Sequence, residues 1–160
     1  MGILRHGIVF LIVFGVLFFP CTAPADNGAE KLYEGFVYFS DADKTALKSV
    51  RKKFPSGLDD HGMGVEIVKT IIEGPSDARL KPLWPEATKI NALFLTDDGS
   101  AYVDLEPPLS FEQNMDASTE LLAVNSLVNS LTLNIPKIRQ VKVLINGKDA
   151  RTLAGHISLE

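Results

Sequence analysis

Short runs of β-branched and aromatic residues along the chain predict six strands separated by turn residues. Two pairs of runs are joined by Asp98-Gly99 and by Asn146-Gly147. Such pairs between apolar runs favour hairpins, and for Asp98-Gly99 we expect positive φ at both turn residues. The predicted strands cover residues 35–39, 47–54, 89–96, 100–105, 140–145 and a short extended segment within 150–159.

Apolar residues at three- and four-residue spacing predict two helices between these strands. The first has the stripe Val65, Val68, Ile71 and Ile72, ends at Gly74-Pro75, and is capped by Asp59 or Asp60. The second runs from about Ala117 to Leu133 and is capped by Asp116 or Ser118. We expect its buried stripe to consist of Leu121, Val124, Leu127, Val128 and Leu131.

The order strand, strand, helix, hairpin, helix, hairpin predicts an α/β domain of the two-layer, α+β-like kind. A helix with one apolar stripe must bury that stripe against another layer. We therefore expect a small mixed, largely antiparallel sheet with both helices packed on one face. The predicted domain covers residues 35–160, and residues 26–34 form a polar tether before it.

The N-terminal segment has the features of an export signal. Arg5 precedes twelve uncharged residues, 8–19, which is shorter than the roughly 20 apolar residues of a membrane-spanning helix. Pro20 follows, and Ala23-Pro24-Ala25 has the small residues of a cleavage site. We predict a signal peptide over residues 1–25 and an exported, periplasmic or extracytoplasmic protein. The alternatives are a retained membrane anchor and lipidation of Cys21, although Phe18, Phe19 and Pro20 make a poor lipidation motif.

Cleavage after Ala25 would leave a mature chain without cysteine, because Cys21 is the single cysteine. That chain would carry 15 basic and 20 acidic residues, a net charge of −5. This balance argues against a nucleic-acid partner, which requires a basic face. The one basic cluster, residues 48–53, is interpreted as a solvated strand face, with an anionic envelope polymer as the alternative partner.

Several ordered motifs resemble the GerMN domain, also called the sporulation and spore germination domain. They are Tyr38-Phe39, Gly74-Pro75, Leu83-Trp84-Pro85, Ala101–Leu105, Glu120–Asn134, Val141–Gly147 and Thr152–His156. The resemblance covers about residues 35–158. It implies an exported α/β domain whose fold is similar to the ring-building domains of secretion and sporulation channels. It also implies a role in cell-wall or spore-envelope assembly with protein partners, in a family not known as enzymatic.

The residues themselves predict no catalytic group, no metal site and no cofactor. The mature chain has only His61 and His156, without other ligands at metal-binding spacing. The segment starting at Asp41 begins like a calcium loop but has Ala46 and Lys52 where glycine and glutamate are needed. No nucleophile or phosphate-binding motif is present.

We predict an interaction or assembly module of the bacterial envelope that binds an envelope protein or the cell wall. Contact with a membrane would come only through a retained leader or a lipidated Cys21. The candidate interaction surface is formed by Trp84, Glu120, Asn125 and Asn129, or by an open sheet edge that adds a partner strand. The alternative is a protein that binds or processes peptidoglycan, and a deep pocket lined by two or more carboxylates would favour the enzyme.

Overall fold

The computed structural model describes residues 31–111 and 115–159. The predicted signal peptide and the alternatives at Cys21 lie outside the described residues.

The first sheet has three strands in the order β2-β1-β3: β1 (Leu32–Asp41), β2 (Leu47–Pro55) and β3 (Leu80–Lys81). All its pairings are antiparallel. β1 begins inside the predicted tether, because Leu32 and Tyr33 pair with Pro55 and Phe54 at the end of β2. The placement of residues 32–34 in a tether was therefore wrong.

The second sheet has four strands in the order β4-β5-β6-β7: β4 (Lys89–Leu95), β5 (Ser100–Glu106), β6 (Gln140–Ile145) and β7 (Lys148–Asp149). β5 and β6 are parallel, and the other pairs are antiparallel. The predicted mixed, largely antiparallel α/β fold is confirmed, with the strands divided between two sheets. Residues 150–159 form loops instead of the expected extended segment.

Both helices begin at an aspartate cap. α1 (Asp60–Glu73) is preceded by Asp59, whose side chain accepts a hydrogen bond from the N–H of Gly62. α2 (Ala117–Thr132) is preceded by Asp116, whose side chain accepts one from Thr119. These caps satisfy N–H groups that have no partner within the helix. The predicted positions of both helices are confirmed.

The two predicted hairpin turns, at Asp98-Gly99 and at Asn146-Gly147, differ in geometry. Asn146 and Gly147 both have positive φ, whereas in the other turn Gly99 has positive φ and Asp98 does not. The expectation for Asp98 was wrong because this loop is longer and closes through the N–H of Thr96 bonded to the oxygen of Ser100.

One hydrophobic core joins the two helices to the two sheets. It is built from buried side chains of both helices and both sheets, and it extends from Val37 to Leu153. α1 contacts β1 and β4, and α2 contacts β1 and β6, so the helices lie against both sheets. This arrangement fixes α2 between the edge of β1 and the C-terminal loop, where the candidate site lies.

Candidate functional site

Polar side chains on the buried side of α2 bond to the edge of β1 as a neighbouring strand would. Ser126 donates to the carbonyl of Tyr38, and the N–H of Tyr38 donates to Ser130 at 3.0 Å. Asn134, just after the helix, accepts from the N–H of Phe36 at 2.9 Å and donates to its carbonyl at 2.6 Å. The backbone hydrogen-bonding groups of Phe36 and Tyr38 in β1 thus find partners in side chains spaced four residues apart. Residues with this spacing lie on one helix face.

Gly35 allows this close approach. A Cβ atom built at Gly35 would lie 2.4 Å from Oδ1 of Asn134 and 3.1 Å from the ring of Phe54. Any side chain at this position would displace the amide that bonds to Phe36. The glycine thus fixes the distance between α2 and β1.

Glu120 holds the C-terminal loop against the first turn of α2. Its carboxylate accepts hydrogen bonds from the N–H groups of Leu153 at 2.7 Å, Ala154 at 3.0 Å and His156 at 2.9 Å. Nδ1 of His156 lies 3.0 Å from the same carboxylate. Burial by itself raises the pKa of Glu120, but the three backbone N–H groups outweigh burial and hold the pKa below its ordinary value.

The placement of Glu120 on an interaction surface was wrong, because its side chain is 0% exposed. The sequence shows no partner for the carboxylate of Glu120, because its partners lie more than 30 positions further along the chain. In the structure this carboxylate anchors the C-terminal loop. A buried carboxylate is stable when several donors surround it, as here.

Trp84 is likewise buried, 2% exposed, and its assignment to an exposed surface was wrong. Its ring stacks on Phe111 with centroids 5.4 Å apart, and its Nε1–H donates to the carbonyl of Ala123 in α2 at 3.3 Å. The indole fixes the proline-rich connector to the helix, which satisfies its polar group inside the core.

The outward side of α2 is where the remaining predicted residues lie. We define the α2 outer face by side chains that recur at three- and four-residue spacing: Leu121, Val124, Asn125, Val128, Asn129 and Thr132. Val124 lies at the margin of this face and also packs partly against the core. Leu121 is 47% exposed, and the other five are half-buried. Asn125 and Asn129 thus share one face, as the sequence indicated.

The predicted buried stripe of α2 was partly wrong. Leu127 and Leu131 are buried as expected, but the rest of the buried face consists mainly of small or polar residues, Ala123, Ser126 and Ser130 among them. Small residues are needed there because β1 approaches so closely. The larger Leu121 and Val128 are consequently turned outward, and the serine spacing was the sequence signal that could have revealed it.

The α2 outer face carries no charge. Glu120 is the only charged residue in Ala117–Thr132, and it is buried. Two polar side chains of the face form hydrogen bonds within the helix. Asn125 donates to the carbonyl of Leu121 at 2.8 Å, and Thr132 donates to the carbonyl of Val128 at 2.9 Å. A surface helix ordinarily directs charged residues to solvent. Depletion of charge with retained aliphatic groups is typical of the centre of protein interfaces.

A separate cleft of about 560 Å³ lies where the start of α1, the β4–β5 turn and the α2–β6 loop meet. Its carboxylates include Asp59, which caps α1, and Asp60, which binds Nζ of Lys137 at 2.8 Å. The hydrogen bond and charge of Asp60 raise the pKa of Lys137. Two of the carboxylates in this cleft are thus engaged in structural contacts.

No group of three or more histidine, cysteine, aspartate or glutamate side chains is arranged to hold a metal ion within residues 31–111 and 115–159. Other carboxylates also have structural partners: Asp104 accepts from the N–H of Gly147, and Glu106 binds Lys89. Over the same residues, no helix is long and apolar enough to cross a membrane.

Two helices packed against one antiparallel and one mixed sheet define a small α/β domain. The family described as Germane, sporulation and spore germination, matches residues 36–151. This match covers most of the chain, so the protein belongs to the sporulation and spore germination family, and the resemblance to the GerMN domain is confirmed.

Solved structures show the same fold. A candidate lipoprotein from Clostridium perfringens has 24% identity and a TM-score of 0.55, covering 80% of this chain and 84% of that one. The first GerMN domain of the sporulation protein GerM from Bacillus subtilis has 20% identity and a TM-score of 0.60, covering 80% and 94%. The tandem GerMN domains of GerM give 20% identity and a TM-score of 0.61, covering 81% of this chain but only 45% of that one. A search of curated proteins found no match.

Proposed function

We propose that this protein is an exported, non-catalytic interaction domain of the bacterial cell envelope, and that its α2 outer face binds another envelope protein. The observation that carries the proposal is the complete lack of charge on a helix face that is open to solvent at Leu121. Leaving such a face in water has a free-energy cost that a partner would remove.

The spacing of the α2 outer face fits a helix or an apolar groove as the partner. Leu121, Val124 and Val128 follow one another at three and four residues, the pattern by which helices pack side by side or lie in grooves. Asn125 and Asn129 flank this row and supply hydrogen bonds that can fix register. Polar residues among apolar ones on a packing face specify alignment at modest cost.

α2 is also a rigid platform, which lowers the entropic cost of association. It is fixed at its start by Glu120 and the C-terminal loop, and along its length by Ser126, Ser130 and Asn134. A partner would therefore meet a surface that is already ordered.

A protein partner is favoured over the cell wall by the chemistry of this face. Wall polymers are polar and charged, and recognition of sugars uses exposed aromatic platforms or paired charges. The α2 outer face has neither, and Trp84 is buried against Phe111 and α2. Export is supported by the apolar leader sequence and by the fold shared with a candidate lipoprotein.

The test is a pair of matched substitutions followed by crosslinking in envelopes. Asn125→Lys places a charge on the α2 outer face, and Asn91→Lys places the same charge on an exposed position of β4. Burial of an unpaired ammonium is costly, so we expect Asn125→Lys to weaken capture of the crosslinked partner at least tenfold while Asn91→Lys leaves it unchanged.

Binding of both lysine variants to purified cell wall is measured alongside capture of the partner. Equal capture by both lysine variants would reject the α2 outer face as the binding surface. Binding to wall alone, or release of soluble fragments from it, would instead favour the protein that binds or processes peptidoglycan. Unfolding curves of both variants check that the domain remains folded.

A further inference from the structure

The basic residues 48–53 lie on a strand with a free edge. Among the strands of residues 31–111 and 115–159, β2 is the outer strand of its sheet and pairs only with β1. Residues 31–55 contain six basic and three acidic residues, a net charge of +3, in a chain whose overall net charge is −4. This hairpin therefore carries a net positive charge in a chain that is acidic as a whole.

Apolar side chains share one face of the hairpin with two of these charges, those of Arg51 and Lys53, whereas Lys48 and Lys52 alternate onto the other face. Phe36 is opposite Arg51 and Leu32 is opposite Pro55 in the register of the two strands. Phe36 is 44% and Leu32 is 49% exposed, and the guanidinium of Arg51 lies 6.0 Å from the centre of the Phe36 ring. We name Leu32, Glu34, Phe36, Arg51 and Lys53 the hairpin patch, because all five alternate onto this face. Glu34, which lies 3.6 Å from Arg51, is the acidic residue within it.

We propose that the hairpin patch docks the domain on an anionic lipid bilayer. Lysine and arginine are attracted to anionic headgroups, and apolar side chains beside them enter the boundary between headgroups and acyl chains. An anionic wall polymer would also attract the charges, but it offers no apolar layer to receive Leu32 and Phe36. The combination therefore favours the bilayer.

The position of the patch in the chain agrees with this orientation. The apolar segment 8–19 ends thirteen positions before Leu32, the first residue of β1, and Cys21 precedes Leu32 by eleven. A retained leader or a lipid on Cys21 would keep Leu32 within about 40 Å of the bilayer, the span of such a tether when fully extended. Retention of the leader and lipidation of Cys21 would thus both bring the hairpin patch to a membrane, whereas cleavage after Ala25 would not.

The experiment measures sedimentation of the chain from Asp26 onward with phosphatidylcholine vesicles, with and without phosphatidylglycerol. This chain keeps the whole described core, and it has no leader that could bind by itself. We expect binding only to the anionic vesicles. Replacing Arg51 and Lys53 together by glutamine should weaken it about 25-fold, since each basic residue contributes roughly a fivefold factor.

Matched controls separate the patch from general charge and general hydrophobicity. Glutamine at Lys81 and Lys148, both exposed and outside the patch, makes the same change in net charge and should leave most of the binding. Phe36→Ser should weaken binding to anionic vesicles, whereas Phe94→Ser, which removes a 59% exposed ring from the second sheet, should not.

The inference is overturned if anionic vesicles do not bind, if the control variants lose as much binding as the patch variants, or if soluble wall polymer displaces the vesicles completely. Failure of this inference can be distinguished from failure of the proposed function. Asn125→Lys should lose the protein partner and still bind vesicles, because Asn125 lies on α2 and outside the hairpin patch.

Discussion

Removing the carboxylate of Glu120 should release the C-terminal loop from α2. Glu120→Ala deletes the acceptor of three backbone N–H groups and the partner of His156 Nδ1. The N–H groups of Leu153 and Ala154 would then have no acceptor on the helix. The loop can satisfy them only by moving into water, which exposes Leu153, a side chain that is 3% exposed in the folded protein.

The magnitude follows from these contacts. Hydrogen bonds to a charged group contribute about 1.5–3 kcal/mol each when their loss leaves a buried partner unsatisfied. Detachment of the loop limits the total, because the freed N–H groups then bond to water. Exposure of one leucine adds about 2 kcal/mol. We therefore expect Glu120→Ala to lower the free energy of unfolding by about 3 kcal/mol.

Two measurements check this expectation. Urea unfolding gives the change in stability, and hydrogen exchange shows whether the amides of Leu153, Ala154 and His156 lose protection. Glu86→Ala removes an exposed glutamate and serves as the control, for which both readings should be unchanged. Retained protection of the three amides in Glu120→Ala, with a stability loss below about 0.5 kcal/mol, would refute the anchoring role.

Two further predictions concern the same helix. Gly35→Ala should destabilise the domain by about 1–3 kcal/mol, because the new methyl group displaces the Asn134 amide; in an Asn134→Ala background the same change should cost clearly less, and equal costs in both backgrounds would contradict the close-approach argument. The pKa of Glu120 is lower in the folded protein, so its contribution to stability is present above the ordinary value of 4.5 and is lost as the pH falls below it. The stability difference between the native chain and Glu120→Gln should therefore shrink in acid, as followed by urea unfolding at several pH values, and a difference that grows on acidification would contradict the assigned direction.

The candidate site was only partly predictable from the sequence. Asn125 and Asn129 were placed correctly on one helix face because helical periodicity alone decides which residues share a face. Periodicity does not decide which face is buried when apolar residues occur all around the helix. The apolar residues of α2, from Leu127 through Leu121 to Leu122, are spread over more than half of its circumference, so the choice depended on what packs against it.

Local signals in the sequence determined the elements of this protein. The aspartates at 59 and 116 start the helices, Gly74 ends the first, and Asn146-Gly147 closes a hairpin, because each depends on hydrogen bonds and φ angles within a few residues. The ordered motifs likewise indicated the family that matches residues 36–151.

Contacts between distant residues were decided only by the tertiary structure. Glu120 meets residues 153–156, and Asn134 meets Phe36, 98 positions earlier in the chain. A buried carboxylate and an exposed one look the same in a sequence, since the difference is made by donors that folding brings from elsewhere. For that reason the sequence identified the helix that carries the proposed surface, whereas packing against β1 determined which side of that helix faces solvent.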